Sequence, residues 1–571
     1  MFRKSVVVSL ALSALFLVSA VATAAPVPAQ WAFPAEGPPV KAKHGMVSCV
    51  SPIASRVGVD ILKRGGNAID AAVAVAFTMA VTWPEAGNVG GGGFMVMRDQ
   101  EGKTYALDYR ETAPARATRD MFLAPNGEVT DKSLVTRLGA GTPGTVWGMY
   151  EVHRKFGRLA WPELLAPAIK LANEGFVVDK GLAASLEKYQ ADLRRNDEAA
   201  RIFLKDGQPL KVGDRLYQPD LARTLRLVAS RGPEGFYQGP VAEAFEEDMQ
   251  DNGGLMTAAD LAAYRPKWRE PISFGYKGLK VVSMPPPSSG GFLLASILKM
   301  VEQDDVQKLG WHSPAHIHLI AEAERRAFAD RNAYMGDPDF IAVPLKRMLD
   351  STYLKERRAT VDPAKATPEY STKPGLQEHE ETTHFLVVDS KGNVVSNTYT
   401  LNGAYGSCIV VPGTGVLLNN EMDDFTSKPG APNLFGLVQG EKNAIAPKKR
   451  MLSSMSPTLV LDARGNFRMA VGSPGGSTIP TTTLQVLMNY FDFGMNVRQA
   501  VVAPRFHHQG LPQSIDVEPA GFDAATLKAL EGMGHPLHER YLGDAQAIVR
   551  KPDGSFEGWA DPRKGGLAVG Y

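Results

Sequence analysis

ETTHFLVVDSKGNVVSNTYTLN, residues 381–402, decides how the rest of this chain is read. Residues 385–388 are a short apolar run, residues 390–393 carry turn chemistry, and residues 394–400 are β-branched and aromatic, which predicts a β-hairpin. Thr382 begins its first strand, with a stiff β-branched χ1 to hold Oγ in place. Thr400 and Asn402 return nearby on the second. A threonine hydroxyl is a poor nucleophile at neutral pH, and no base lies beside Thr382 in sequence. Scission between Glu381 and Thr382 would supply one, because the freed α-amino group reaches the Oγ of its own residue. Such a group titrates near about 7.7–8.0, so a modest downward shift leaves it neutral and basic at working pH. An ordinary surface hairpin, with threonines chosen for β propensity, fits the same residues, and they leave both readings open.

Composition narrows the field. At 571 residues, 44% hydrophobic and 22% charged, the chain can bury a large core. No linker, charge block or repeat divides it, although its length alone would allow about three or four domains. A formal charge of +1 leaves no electrostatic footprint for nucleic acid or an anionic membrane, which favours small-molecule chemistry. Arg3 and Lys4, the apolar residues 6–21 and Ala22-Thr23-Ala24 form a secretory signal with cleavage after Ala24, an uncleaved anchor being the alternative. Residues 68–82 hold Asp70 and stop before Pro84, short of the ~20 apolar residues of a spanning helix. The processed protein is expected to be soluble, periplasmic or secreted, with no membrane contact.

Cys49 and Cys408 are the only cysteines, and they are expected as two buried thiols rather than a bridge. His379, His384, His507 and His508 invite a metal assignment, yet no HExxH and no paired CxxC occurs, and adjacent His507 and His508 do not share a helical face. No metal and no organic cofactor are expected. GNVGGGGF, residues 87–94, follows an apolar helix-like segment rather than opening a helix after a strand, so it is not read as a phosphate loop. Helices are predicted over residues 57–63, 68–82, 161–174 and 314–335, and a buried strand over residues 467–472 leads into a glycine turn.

Further segments carry chemistry only in combination. They include residues 42–77 (AKHGMVSCVSPIASRVGVDILKRGGNAIDAAVAVAF), NVGGGGFMVMR, ALDYRETAPARATRDMF, AGTPGTV, SMPPPSSGG and GDPDF. TTHFLVVD, NTYTLNGAYG, LLNNEMDDF, LSSMSPT, GSPGGSTIPTT and APRFHHQ follow in the last third. In this order they resemble gamma-glutamyltranspeptidase, a self-cleaving family of the N-terminal-nucleophile hydrolases, along nearly the whole processed chain.

That resemblance implies Thr382 as the nucleophile exposed by autoproteolysis and Thr400 as its hydrogen-bonding partner. Arg110 matches the arginine that holds a substrate α-carboxylate, a role suited to a planar guanidinium. Ser453 and Ser454 match hydroxyls on the same carboxylate. Asn402, Glu421 and Asp424 match the acceptors around the α-amino group. Gly475 and Gly476 match the oxyanion donors, where absent side chains let the backbone come close. Each motif alone also fits a turn, an ion pair or a solvated loop. Residues 429–447 resemble a lid seen in bacterial relatives, but Phe435 stands where those enzymes often carry a tyrosine, so the lid is expected without that hydroxyl's bond. Glu421 stands where some have glutamine, and should leave amine recognition intact.

The implied fold is α+β, the four-layer αββα sandwich of that superfamily, whereas periodicity supports only the mixed class. The implied division is a signal over 1–24, a large subunit over 25–381 and a small catalytic subunit over 382–571, intertwined in one fold. The implied activity is γ-glutamyl transfer from glutathione and related donors to water or to amino acids and peptides. Two alternatives stand: a cephalosporin (glutaryl) acylase of the same superfamily, and an exported glutathione- or glutamate-binding protein without turnover.

Overall fold

The computed structural model describes residues 27–368 and 382–571. The signal segment, His379 and Glu381 therefore lie outside the described residues. The hairpin takes the expected form: strand Thr383–Asp389 pairs antiparallel with Val394–Thr400, with Thr383 opposite Tyr399 and Val388 opposite Val394. Thr382 lies immediately ahead of the first strand. Both hairpin strands have further neighbours, Gly45–Cys49 on one side and Gly92–Arg98 on the other. The hairpin thus sits at the centre of a seven-stranded antiparallel sheet running Leu567–Gly570, Gly45–Cys49, Thr383–Asp389, Val394–Thr400, Gly92–Arg98, Thr104–Asp108, Lys267–Arg269.

A second seven-stranded antiparallel sheet faces it, in the order Val40–Ala42, Phe556–Ala560, Gln546–Arg550, Phe467–Gly472, Thr458–Leu461, Leu279–Ser283, Ile272–Tyr276. Alternation of side chains along a strand explains how the layers stack. Leu386 and Val388 pack between the sheets with Val282, Leu459, Ala470 and Ile548. Phe385 and Val387 point the other way, into a core shared with helices Pro52–Lys63 and Ala68–Thr82. On the far side, Val460, Met469 and Val471 pack beneath helices Gly290–Val301, Pro314–Tyr334 and Ile479–Phe491. Strands buried on both faces read as near-continuous apolar runs, which is why FLVV shows no alternation. The result is helix, sheet, sheet, helix, the four layers expected.

Helix Ala68–Thr82 is buried along its whole length and starts at an Asn67/Asp70 capping box. The first helix begins at Pro52, earlier than the predicted 57, because Ser51 caps it by accepting from the Ala54 N–H and proline suits the first turn. Helix Trp161–Glu174 and strand Phe467–Gly472 fall where predicted, and helix Pro314–Tyr334 ends one residue early. The glycine run of residues 90–93 leads into a strand rather than a helix. A Cβ on Gly91 would stand 2.0 Å from the Thr400 carbonyl oxygen, so the run lets a strand lie against the Thr400 end of the hairpin.

Cys49 and Cys408 are both free and buried, as expected. Among the described residues no helix is long and apolar enough to cross a membrane.

Candidate active site

Thr382 and Thr400 meet at the end of the hairpin, their Oγ atoms 3.4 Å apart, and both are buried. The pairing register makes this contact inevitable, since Thr383 opposes Tyr399 and the next step outward brings 382 to 400. Thr400 Oγ also accepts from the Asn402 N–H at 2.9 Å. Asn402 turns the chain with φ of 78°, a left-handed conformation that asparagine tolerates, and its amide donates to the Asn420 carbonyl at 3.0 Å. The turn thereby ties the threonine pair to the acidic segment 421–424.

Arg110, wholly buried, pairs through Nη1 with Glu421 and through Nη2 with Asp424. A third carboxylate, Glu111, lies 3.9 Å from Nη1. Burial opposes the guanidinium charge, but Glu421 and Asp424 outweigh it and hold Arg110 above its ordinary range. Burial raises Glu421 well above the usual carboxylate range; Arg110 pulls it down, while Glu111 and Asp424 push it up again. Asp424 is likewise raised by burial, with partial relief from Arg110. Glu111 is pushed up to about 7 by burial against the pull of Arg110. More acid than base is gathered here, and an added cation would relieve the excess.

The predicted carboxylate-binding serines border the same cavity, as do Arg110, Thr382, Thr400, Asn402, Glu421, Asp424 and Gly476. Gly475 lies just behind Gly476 at the end of strand Phe467–Gly472, and φ values of 125° and 53° place both in the left-handed region. A Cβ on Gly476 would come within 2.3 Å of the Phe435 ring. The lid segment therefore closes directly over the glycine turn. Phe435 has no hydroxyl, and other residues fasten the lid. The Asn433 amide donates to Asp424 at 3.0 Å while its oxygen accepts from the N–H groups of Phe435 and Leu437. The Leu434 N–H donates to Asp423 at 2.7 Å.

Sequence reasoning missed Arg331. It borders the cavity, buried, and donates to Ser289 Oγ (3.2 Å), to lid residue Gln439 (3.0 Å) and at 3.5 Å to Ser454 Oγ. Burial lowers it to about 10, against the favourable charge of Asp424. It is one of several arginines on one helix, and no local pattern distinguishes it from Arg325 or Arg326. Leu437 and Ile479 supply apolar walls.

Among the described residues, His384 and His507 each sit in their own hydrogen-bonded niche. His384 bonds Thr398 at 2.8 Å, and His507 bonds Thr481 and Gln509. Burial pushes His384 down to about 3 and His507 to about 4, so both are neutral packing groups at pH 7.

Comparison with known proteins agrees with this geometry. The Gamma-glutamyltranspeptidase family profile matches residues 54–571. The chain is 49% identical over 540 residues to the glutathione hydrolase proenzyme of Escherichia coli (strain K12), covering 93% of each. Among solved structures, a cephalosporin acylase from Bacillus halodurans superposes with a TM-score of 0.83 at 29% identity, covering 95% of this chain and 99% of that one. The Helicobacter pylori gamma-glutamyltranspeptidase gives 0.55 at 44% identity, over 56% of this chain and 92% of that one. The αββα sandwich with a threonine pair at its central hairpin and a buried charge cluster beside it is thus found in a chain that belongs to the gamma-glutamyltranspeptidase family.

Proposed function

We propose that this chain is the precursor of a γ-glutamyl hydrolase and transferase that cuts itself before Thr382 and acts on glutathione and related donors. In maturation, Thr382 Oγ attacks the Glu381 carbonyl, the acyl group shifts from nitrogen to oxygen and frees the threonine amine, and water hydrolyses the ester to release the hydroxyl and leave Glu381 as a C-terminal carboxylate. That amine then takes the Oγ proton as Oγ attacks the γ-amide of the donor. The oxyanion rests against the Gly475 and Gly476 N–H groups. Collapse expels the donor's amine, which leaves with the transferred proton, and a γ-glutamyl ester remains on Thr382. Water attacking that ester gives glutamate, while an amino acid or peptide gives a new γ-glutamyl amide.

The observation that carries this reading is the clasp of Arg110 by Glu421 and Asp424 beside the threonine pair. A γ-glutamyl group brings a free α-carboxylate and a free α-ammonium, and it can exchange into such a clasp without stranding a charge. Its carboxylate takes over Arg110, with Ser453 and Ser454 adding hydroxyls, and its ammonium takes over Glu421, Asp424 and Asn402. A glutaryl group has no ammonium and would leave the carboxylates uncompensated. That cost separates this reading from the acylase reading, which the superposition with a cephalosporin acylase keeps in view. Turnover of γ-glutamyl and glutaryl anilides tests it: kcat/KM is expected to favour the γ-glutamyl compound at least a hundredfold, and parity overturns the assignment. Residues 25–381 and 382–571 are the two fragments proposed, and residues 1–24 direct export to the periplasm or medium.

A further inference from the structure

Helix Pro314–Tyr334 carries His318 and Glu322 one turn apart on a single face. The turn after helix Ala524–Gly532 brings His535 against them. One donor atom from each of the three lies within 4.8 Å of the others, and all three residues are buried. His318 Nε2 stands 2.7 Å from the Asp362 carbonyl, which can only accept, so Nε2 carries the proton and Nδ1 the lone pair. That lone pair faces His535 Nε2 at 2.7 Å. Glu322 is fixed by the Thr367 N–H at 3.0 Å, by the Thr367 hydroxyl and by Arg326 at 2.6 Å. Those bonds use three of the roughly four lone-pair positions of a carboxylate, leaving one toward the histidines.

We propose that His318, Glu322 and His535 form a binding site for one divalent transition metal ion of the zinc type. Two imidazoles and a carboxylate are a donor set that zinc accepts with a fourth position left for water or another side chain. The surrounding bonds are those that hold metal ligands in place: a histidine tied through its second nitrogen to a carbonyl, and a carboxylate tied by neighbouring donors. Entry of the ion requires the His535 proton to move to its Nδ1, so no net proton is lost. The two nitrogens must also part from 2.7 Å to the roughly 3.3 Å that tetrahedral bonds of about 2.0–2.1 Å require. Arg325 and Arg326 flank the cluster, and their charge limits its affinity.

The site lies where residues 360–368 cross the helix, held there by Asp362, Thr367 and the Ala366 N–H to the Met533 carbonyl. An ion would join a helix of the proposed large fragment to His535 of the small one. Untagged full-length protein, stripped with chelator and incubated with zinc, is expected to retain about one equivalent per chain after desalting. Cobalt in its place should give visible d–d bands of a four-coordinate site. His318→Gln and His535→Gln keep an amide for hydrogen bonding and are each expected to weaken retention at least tenfold. Wild-type protein that holds no zinc, or either variant binding as tightly as wild type, overturns the site. Catalytic turnover is not part of this readout, so a negative result leaves the proposed function untouched.

Discussion

In the proposed scheme the single hydroxyl of Thr382 serves twice, first on its own backbone and then on substrate. Thr382→Ala is therefore expected to run as one full-length band on a denaturing gel and to release no product from a γ-glutamyl anilide. Thr400→Val keeps shape and removes the hydroxyl 3.4 Å away, and should slow processing at least tenfold in a time course of fragment appearance. Arg110→Lys replaces a fork with a point charge, and is expected to process normally while KM rises tenfold or more. The threonine pair was legible because strand register converts sequence spacing into contact. The guanidinium clasp was not, since Glu421 stands 311 residues from Arg110 and nothing local couples them. Only the ordered motifs of a known family suggested that they share a site, and Arg331, outside those motifs, went unseen.

Elements were legible where one physical signal dominated. Helix Trp161–Glu174 and strand Phe467–Gly472 have clean apolar patterns and glycine or proline punctuation at their ends. The lid has proline and glycine punctuation but no periodic apolar pattern, and its order comes from side chains such as Asn433 that satisfy its backbone from within. The lid and the glycine turn are packed closely enough for one added methyl group to test them. Gly476→Ala would meet the Phe435 ring at 2.3 Å and must also hold a φ of 53°, so turnover is expected to fall at least a hundredfold. Adding Phe435→Ala removes the clash but not the backbone strain, and should recover only part of that loss when kcat is compared across the two variants.

Across the whole molecule, the double sandwich leaves several ionisable groups dry. Asp544, buried beside Asp561, is pushed up to about 8 by burial and then by that neighbour, with partial relief from Lys564 and two arginines. The folded protein keeps a proton that the unfolded chain gives up near pH 4. Its stabilising share is full below that pH and is lost as pH rises toward 8, at up to about 1.4 kcal/mol per unit. Thermal melts should thus show Tm falling from pH 5 to 8.5 in the wild type and falling less in Asp544→Asn. The layer order of the sandwich was not readable from periodicity, because strands buried on both faces carry no alternation to say which side meets which layer. The central sheet also mixes strands from both sides of the proposed cut, Gly45–Cys49 lying between Leu567–Gly570 and Thr383–Asp389. Two pieces woven in this way stay together without a covalent link, yet they can assemble from disorder only by a second-order encounter. Heat or urea should accordingly be a reversible insult to uncut Thr382→Ala and a terminal one to the processed enzyme, whose persistence is set by how slowly it comes apart.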